Sequence, residues 1–131
     1  MTDIAVSNFQ KKVPVRIPVV SADIRKIIKA LKFSPPFLSV AFVGEERMRR
    51  LNREYLGHDD VTDVITFKHA EIVICPSAAA RHARSHGNSV EREIILYAVH
   101  GILHLCGYDD RAPADVKRMR RKEQQIMDLL S

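Results

Sequence analysis

The stretch SVEREIILYAVHGILHLC, residues 89–106, decides the architecture. Ile94, Ile95, Leu96, Tyr97, Val99, Ile102, Leu103 and Leu105 leave almost no polar face at helical spacing, so the segment predicts a helix buried nearly all round. It is the expected central buried helix. Asn88 and Glu91 have the spacing of a capping box at its start, and Gly107 ends it. Beyond, Pro113 suits a first helical turn with Ala112 as its cap; Val116, Met119, Ile126, Met127 and Leu130 form the apolar stripe of a last helix with a basic outer face.

Toward the N-terminus an Ala-rich helix spans about 77–86, ending at Gly87. Val64 to Phe67 and Ile72 to Cys75 read as two strands of a hairpin, although the turn between them has no Asn-Gly signal. Phe37 to Val43 is an apolar run of strand length. After Gly44, Met48, Leu51 and Tyr55 define a helix with a narrow buried stripe and arginines on its other side. Ser21 reads as the cap of a helix carrying Ile24, Ile27, Ile28 and Leu31, stopped by Pro35-Pro36; Val13 to Val19 reads as extended because of Pro14 and Pro18, and Ile4 and Val6 as a short strand. Strands gather in the first half and helices in the second. The predicted class is α+β: a small mixed sheet of about four strands, with about five helices on one side of it and a central buried helix bearing the metal site.

With 131 residues, 46% of them apolar, the chain predicts one domain over 1–131, with a core that needs no disulfide staple. Cys75 and Cys106 lie in apolar runs and read as reduced thiols. No stretch approaches the length of a membrane span and no leader is evident, so a cytoplasmic protein without a membrane partner is expected. The net charge is +5, and the positive residues cluster: Arg47, Arg49, Arg50 and Arg53; Arg81, Arg84 and Arg92 with His82 and His86; and Arg111 to Lys122. Clustering is what a polyanionic partner requires, and a merely solvated face is the open alternative for each group alone. No Trp, three Tyr and five Phe offer no evident platform for stacking bases.

His100 and His104 stand four residues apart on the buried helix, hence on one face. A hydrogen-bonded pair of core histidines is the alternative to metal binding. Two imidazoles in so apolar a helix would cost several kcal/mol without a partner, and carboxylates follow at once. A third ligand is expected past Gly107, among Tyr108, Asp109 and Asp110, with a fourth position open to water. Asp110 is the favoured residue, because Pro113 moves the helix cap to Ala112. Cys106 points off the histidine face and reads as a buried thiol. Gly101 stands where a zinc peptidase of the His-Glu-x-x-His type carries its base, which disfavours that chemistry. Glu93, on the same face as His100, is a candidate acceptor behind the ligands, or else a capping-end glutamate facing water.

His100-Gly101-Ile102-Leu103-His104-Leu105-Cys106-Gly107-Tyr108-Asp109-Asp110 resembles the signature of the YbeY family of zinc-dependent endoribonucleases. The order and spacing of Leu51-Asn52-x-x-Tyr55, Asp59, Thr62-Asp63-Val64-Ile65-Thr66-Phe67 and Glu71-Ile72-Val73-Ile74 are also similar to that family. The resemblance implies one Zn²⁺ per chain held by His100, His104 and Asp110, which would also be the catalytic residues. It implies hydrolysis of single-stranded RNA, and a role in ribosomal RNA maturation and ribosome quality control, with ribosomal RNA and the ribosome as partners. Arg47, Arg50, Arg53, Arg81 and Arg84 are the candidate RNA-binding residues. Two positions depart from the family pattern: Asp110 stands where a third histidine is usual, and Leu56 where an arginine faces the cleft. These motivate a rival reading, a ribosome- or rRNA-binding factor with a structural metal and little catalysis. A small-molecule metallohydrolase would leave the arginine clusters unexplained.

Overall fold

A computed structural model of the chain describes residues 2–59 and 61–130. Among these, the elements are β1 (Asp3–Asn8), α1 (Ile17–Ala30), β2 (Phe37–Phe42), α2 (Glu45–Leu56), β3 (Val64–Phe67), β4 (Glu71–Ile74), α3 (Pro76–His86), α4 (Val90–Leu105) and α5 (Pro113–Leu130). The strands form one mixed sheet in the order β1-β2-β4-β3. β1 and β2 are parallel, with Val6 opposite Val40; β2 and β4 are parallel, with Val40 opposite Ile72; β3 runs antiparallel to β4, with Ile65 opposite Val73. The α+β class holds, with four strands and five helices.

β2 and β4 are central and nearly continuous in apolar residues, the mark of strands covered on both faces. Alternate side chains divide between two cores. Leu38, Val40, Phe42, Ile72 and Ile74 meet Ile24 and Ile27 of α1, Ile102 and Leu103 of α4, and Met119, Ile126 and Met127 of α5. On the opposite face Val43, Ile65, Val73 and Cys75 pack with Met48 of α2 and Ala78 of α3. The expectation of helices on one side only is therefore corrected: two-faced apolar strands need a second, smaller cover. No described helix is long and apolar enough to cross a membrane.

Gly101 sets how closely α4 approaches the sheet. A Cβ there would lie 2.9 Å from Ile72 Cδ1 and 3.0 Å from Thr66 Oγ1, below ordinary van der Waals separation. The missing side chain lets the helix settle onto β3 and β4, which fixes the position of His100 beside it.

Several local expectations are also corrected. α1 begins at Ile17, with Arg16 as N-cap and Pro18 in its first turn; proline tolerates that turn, whose N–H groups have no intrahelical acceptor. Ser21 lies inside the helix. On α2 the buried residues are Met48 and Asn52, whereas Tyr55 is exposed. The cap of α4 is Ser89, whose Oγ accepts the N–H of Arg92 at 3.1 Å; Asn88 and Glu91 form no capping box, because the Asn88 amide turns inward to Glu93. The β3–β4 turn, lacking a glycine, places Ala70 in the left-handed region at φ 63°, a conformation costing an L-residue about 1–2 kcal/mol.

Candidate metal centre and cleft

The last turn of α4 delivers the centre. The N–H of Gly107 bonds the His104 carbonyl and the N–H of Tyr108 reaches back to the Leu103 carbonyl, both at 3.0 Å. This is a Schellman closure, with Gly107 at φ 101° supplying the left-handed residue. The chain thus folds back over the helix end. The Tyr108 carbonyl comes within 3.1 Å of His104 Nδ1, and Asp110 follows beside both histidines.

His100 Nε2 and His104 Nε2 are 3.1 Å apart. Asp110 Oδ2 lies 3.6 Å from the first and 3.5 Å from the second. His104 Nδ1 faces a carbonyl, which only accepts, so that nitrogen carries the proton and Nε2 presents a lone pair. His100 Nδ1 is 2.5 Å from Glu123 Oε2, and a carboxylate fixes the same tautomer. With both rings neutral, two imidazole lone pairs and a carboxylate oxygen therefore converge on one point. Tetrahedral zinc with ligands at about 2.0–2.1 Å would set neighbouring donor atoms about 3.3 Å apart, close to the three separations seen. The donor set fits a zinc-type cation.

Electrostatics act in the same direction. Burial opposes a positive charge on His100, but the hydrogen bond and charge of Glu123, with Asp110 and Asp63 adding, raise its pKa above the usual imidazole value. That negative potential also favours a cation. Cys106 is half-buried rather than buried; partial burial pushes its thiol up, and it lies outside the cluster of converging donor atoms. His100, His104 and Asp110 form the one such metal-type cluster among the described residues.

Glu123, not Glu93, is the acceptor behind His100. Its signal was present: Glu123 falls four residues after Met119 and three before Ile126, on the buried stripe of α5. Glu93 is fully buried but turned toward α3. There it accepts from Asn88 Nδ2 at 3.0 Å and from His86 Nδ1 at 3.1 Å. The Tyr97 hydroxyl meets Glu93 and Asp63 and lies 2.6 Å from His82 Nδ1. Burial opposes ionisation of Glu93, yet the hydrogen bonds from Asn88, Tyr97 and His86 hold its pKa below the ordinary carboxylate value.

A cleft of about 730 Å³, lined by Asp63, His82, Tyr97, His100, Arg120 and Glu123 among others, runs from the Glu93 cluster to the His100 edge of the metal centre; His104 and Asp110 do not line it. Arg92 also lines it. None of Arg47, Arg50, Arg53, Arg81 and Arg84 does. Arg47, Arg50 and Arg53 lie on α2, and Arg81 and Arg84 on α3. Arg81 pairs with Glu45 and Arg53 with Asp59 at 3.7 Å, both at exposed positions where such pairs are weak. Leu56 is 52% exposed near the end of α2.

A family model described as Endoribonuclease YbeY matches residues 5–131. A curated Endoribonuclease YbeY of Geobacter metallireducens is 34% identical over 142 residues, covering 97% of this chain and 95% of that protein. One of Pelotomaculum thermopropionicum is 34% identical over 147 residues, covering 98% and 97%. One of an Anaeromyxobacter species is 42% identical over 99 residues, 68% of this chain; the match spans about half of that relative, 52%. The solution structure of a Thermotoga maritima protein is similar with a TM-score of 0.70 at 28% identity, over 95% of this chain and 87% of that one. Matches of this extent run through every element that builds the centre, and the chain belongs to the YbeY family of endoribonucleases, enzymes that cut RNA phosphodiester bonds.

Proposed function

We propose that the chain is a zinc-dependent endoribonuclease that cleaves single-stranded RNA in the cytoplasm, serving ribosomal RNA maturation and ribosome quality control. The observation that carries this reading is the convergence of His100 Nε2, His104 Nε2 and Asp110 Oδ2, with both tautomers set from behind by Glu123 and the Tyr108 carbonyl.

When bound, a divalent ion there supplies a Lewis acid for the phosphoryl group and acidifies water. The residues of the chain do the rest. Glu123 holds the His100 ring in orientation and increases its donor strength. Asp110 would supply the one anionic donor beside the two neutral imidazoles, lowering the net charge of the loaded site relative to three histidines. Arg120 and Arg92 in the cleft attract and orient the phosphodiester, while Arg47, Arg50, Arg53, Arg81 and Arg84 hold flanking phosphates through salt-sensitive contacts.

The test is His104→Ala. Elemental analysis should fall from about one zinc per chain to almost none, and cleavage of single-stranded ribosomal RNA should vanish, with salt-sensitive RNA binding retained. Loss of RNA binding with zinc retained contradicts the assignment. A second reading, a ribosome-associated factor with a structural metal, is favoured by the exposed Leu56 in place of a cationic side chain. A zinc-loaded preparation that never cuts ribosomal RNA would decide for it.

A further inference from the structure

The sequence offers no evident aromatic platform, yet the fold assembles one on the sheet face turned away from α4. Phe9, Tyr55, Phe67 and His69 line a groove of about 310 Å³ with Arg47, over a floor of Ala41, Val43 and Val73. The Phe67 ring meets the Tyr55 ring edge-on at 5.2 Å and 84°, and His69 stacks on it at 5.5 Å and 24°. The Arg47 guanidinium lies 5.2 Å over the Phe9 ring. Phe9 and Tyr55 are 60% and 62% exposed. Such large apolar rings left in water beside a cation form a surface that matches a ligand with flat faces and negative charge.

We propose that this groove binds unstacked bases of single-stranded RNA, as a second contact site outside the metal cleft. The proposal rests on the reading of the chain as an enzyme of RNA. Sheet surfaces that present aromatic rings hold bases in this way, since every base has a π-face. Cations prevail around the groove: Arg47 lies in it, Arg50 follows one turn along α2 and Lys68 one residue after Phe67, against the single lining carboxylate, Glu71, which His69 meets at 3.2 Å. Continuity comes from β3, the edge strand. Val64 lines the cleft beside His100 and Phe67 lines the groove, so the two sites are separated by the length of one four-residue strand, roughly 10 Å. A strand of RNA passing around that edge touches both.

Anisotropy of a labelled oligouridylate, and of an abasic oligomer of the same length, measured on the full chain with EDTA, tests this without cleavage. Tyr55→Leu and Phe9→Leu keep apolar bulk at exposed positions and remove the ring. Each should weaken oligouridylate binding about tenfold, with the salt slope and the abasic affinity unchanged. Arg47→Ala should weaken both oligomers and lower the salt slope by about one. Unchanged oligouridylate affinity, or an equal loss on the abasic oligomer, overturns the proposal. So does a loss of binding to RNA-free ribosomal proteins with RNA affinity intact, which would make the groove a protein-docking face. The readout is independent of the nuclease reading: ring-dependent binding by a zinc-loaded chain that cuts nothing sinks that reading and leaves the groove standing.

Discussion

Two clusters of imidazole and carboxylate hang from α4. At its C-terminal end His100, His104 and Asp110 present acceptors to one another. At its N-terminal end Glu93 collects donors from Asn88, His86 and Tyr97. The residue types are the same and the outcomes are opposite. In the second cluster donors and acceptors balance within the protein, so it is a buried polar network that rigidifies the joint between α3 and α4. In the first, with both rings neutral, the surplus is all lone pairs, and balance requires a positive charge from outside, a proton or a metal ion. What separates a structural network from a metal site is which nitrogen carries the proton, and that is decided by Glu123 and the Tyr108 carbonyl.

The comparison breaks most visibly with paired alanines. His104→Ala should abolish zinc uptake and cleavage, whereas His86→Ala should leave about one zinc per chain by elemental analysis; loss of the ion from both would mean that the clusters are not distinct. Next in size, Glu123→Gln keeps the shape but loses the carboxylate behind His100, and should weaken zinc binding by about 10–100-fold in a competition titration with a chelator.

Glu93→Gln tests the other end. It removes a charge that three donors surround and should destabilise the fold by about 1–3 kcal/mol in urea unfolding at pH 7, with zinc stoichiometry unchanged. The sign with pH follows from its lowered pKa. Its contribution is complete above the unfolded carboxylate value of about 4.3 and is lost as pH falls through the lower folded value. The wild-type chain should therefore lose more stability than the variant between pH 5 and strong acid. The smallest effect belongs to Gly101→Ala, which gains about 1 kcal/mol of helix propensity but crowds Ile72 and Thr66 at a cost of about 1–3 kcal/mol. A net loss of about 1 kcal/mol is expected in the same assay. Because the added methyl lifts the middle of α4, both clusters should feel it.

Periodicity carried much of this. The apolar girth of residues 89–106 marked the central helix, and the His100–His104 spacing with Gly107 placed Asp110 where it stands. What periodicity could not carry was long-range pairing. Glu123 is nineteen positions after His104 in a different helix, and it sits on the apolar stripe of α5 for a reason visible only when α5 lies on α4. The aromatic groove escaped for the same reason: Phe9, Tyr55 and Phe67 come from three separate segments. Local boundaries failed where one residue served two readings, as with Pro18, acceptable in an extended edge and in a first helical turn alike. Glu93 looked like a capping-end or ligand-supporting carboxylate until α3 was docked against it.

The origin of Glu123 in α5 has a temporal consequence. As the nascent polypeptide emerges, α4 and its two imidazoles precede the carboxylate that selects their tautomer, and until α5 docks, either ring nitrogen of His100 is free to keep the proton. Competence for the ion thus follows the docking of α5, the same step that closes the main core over the sheet.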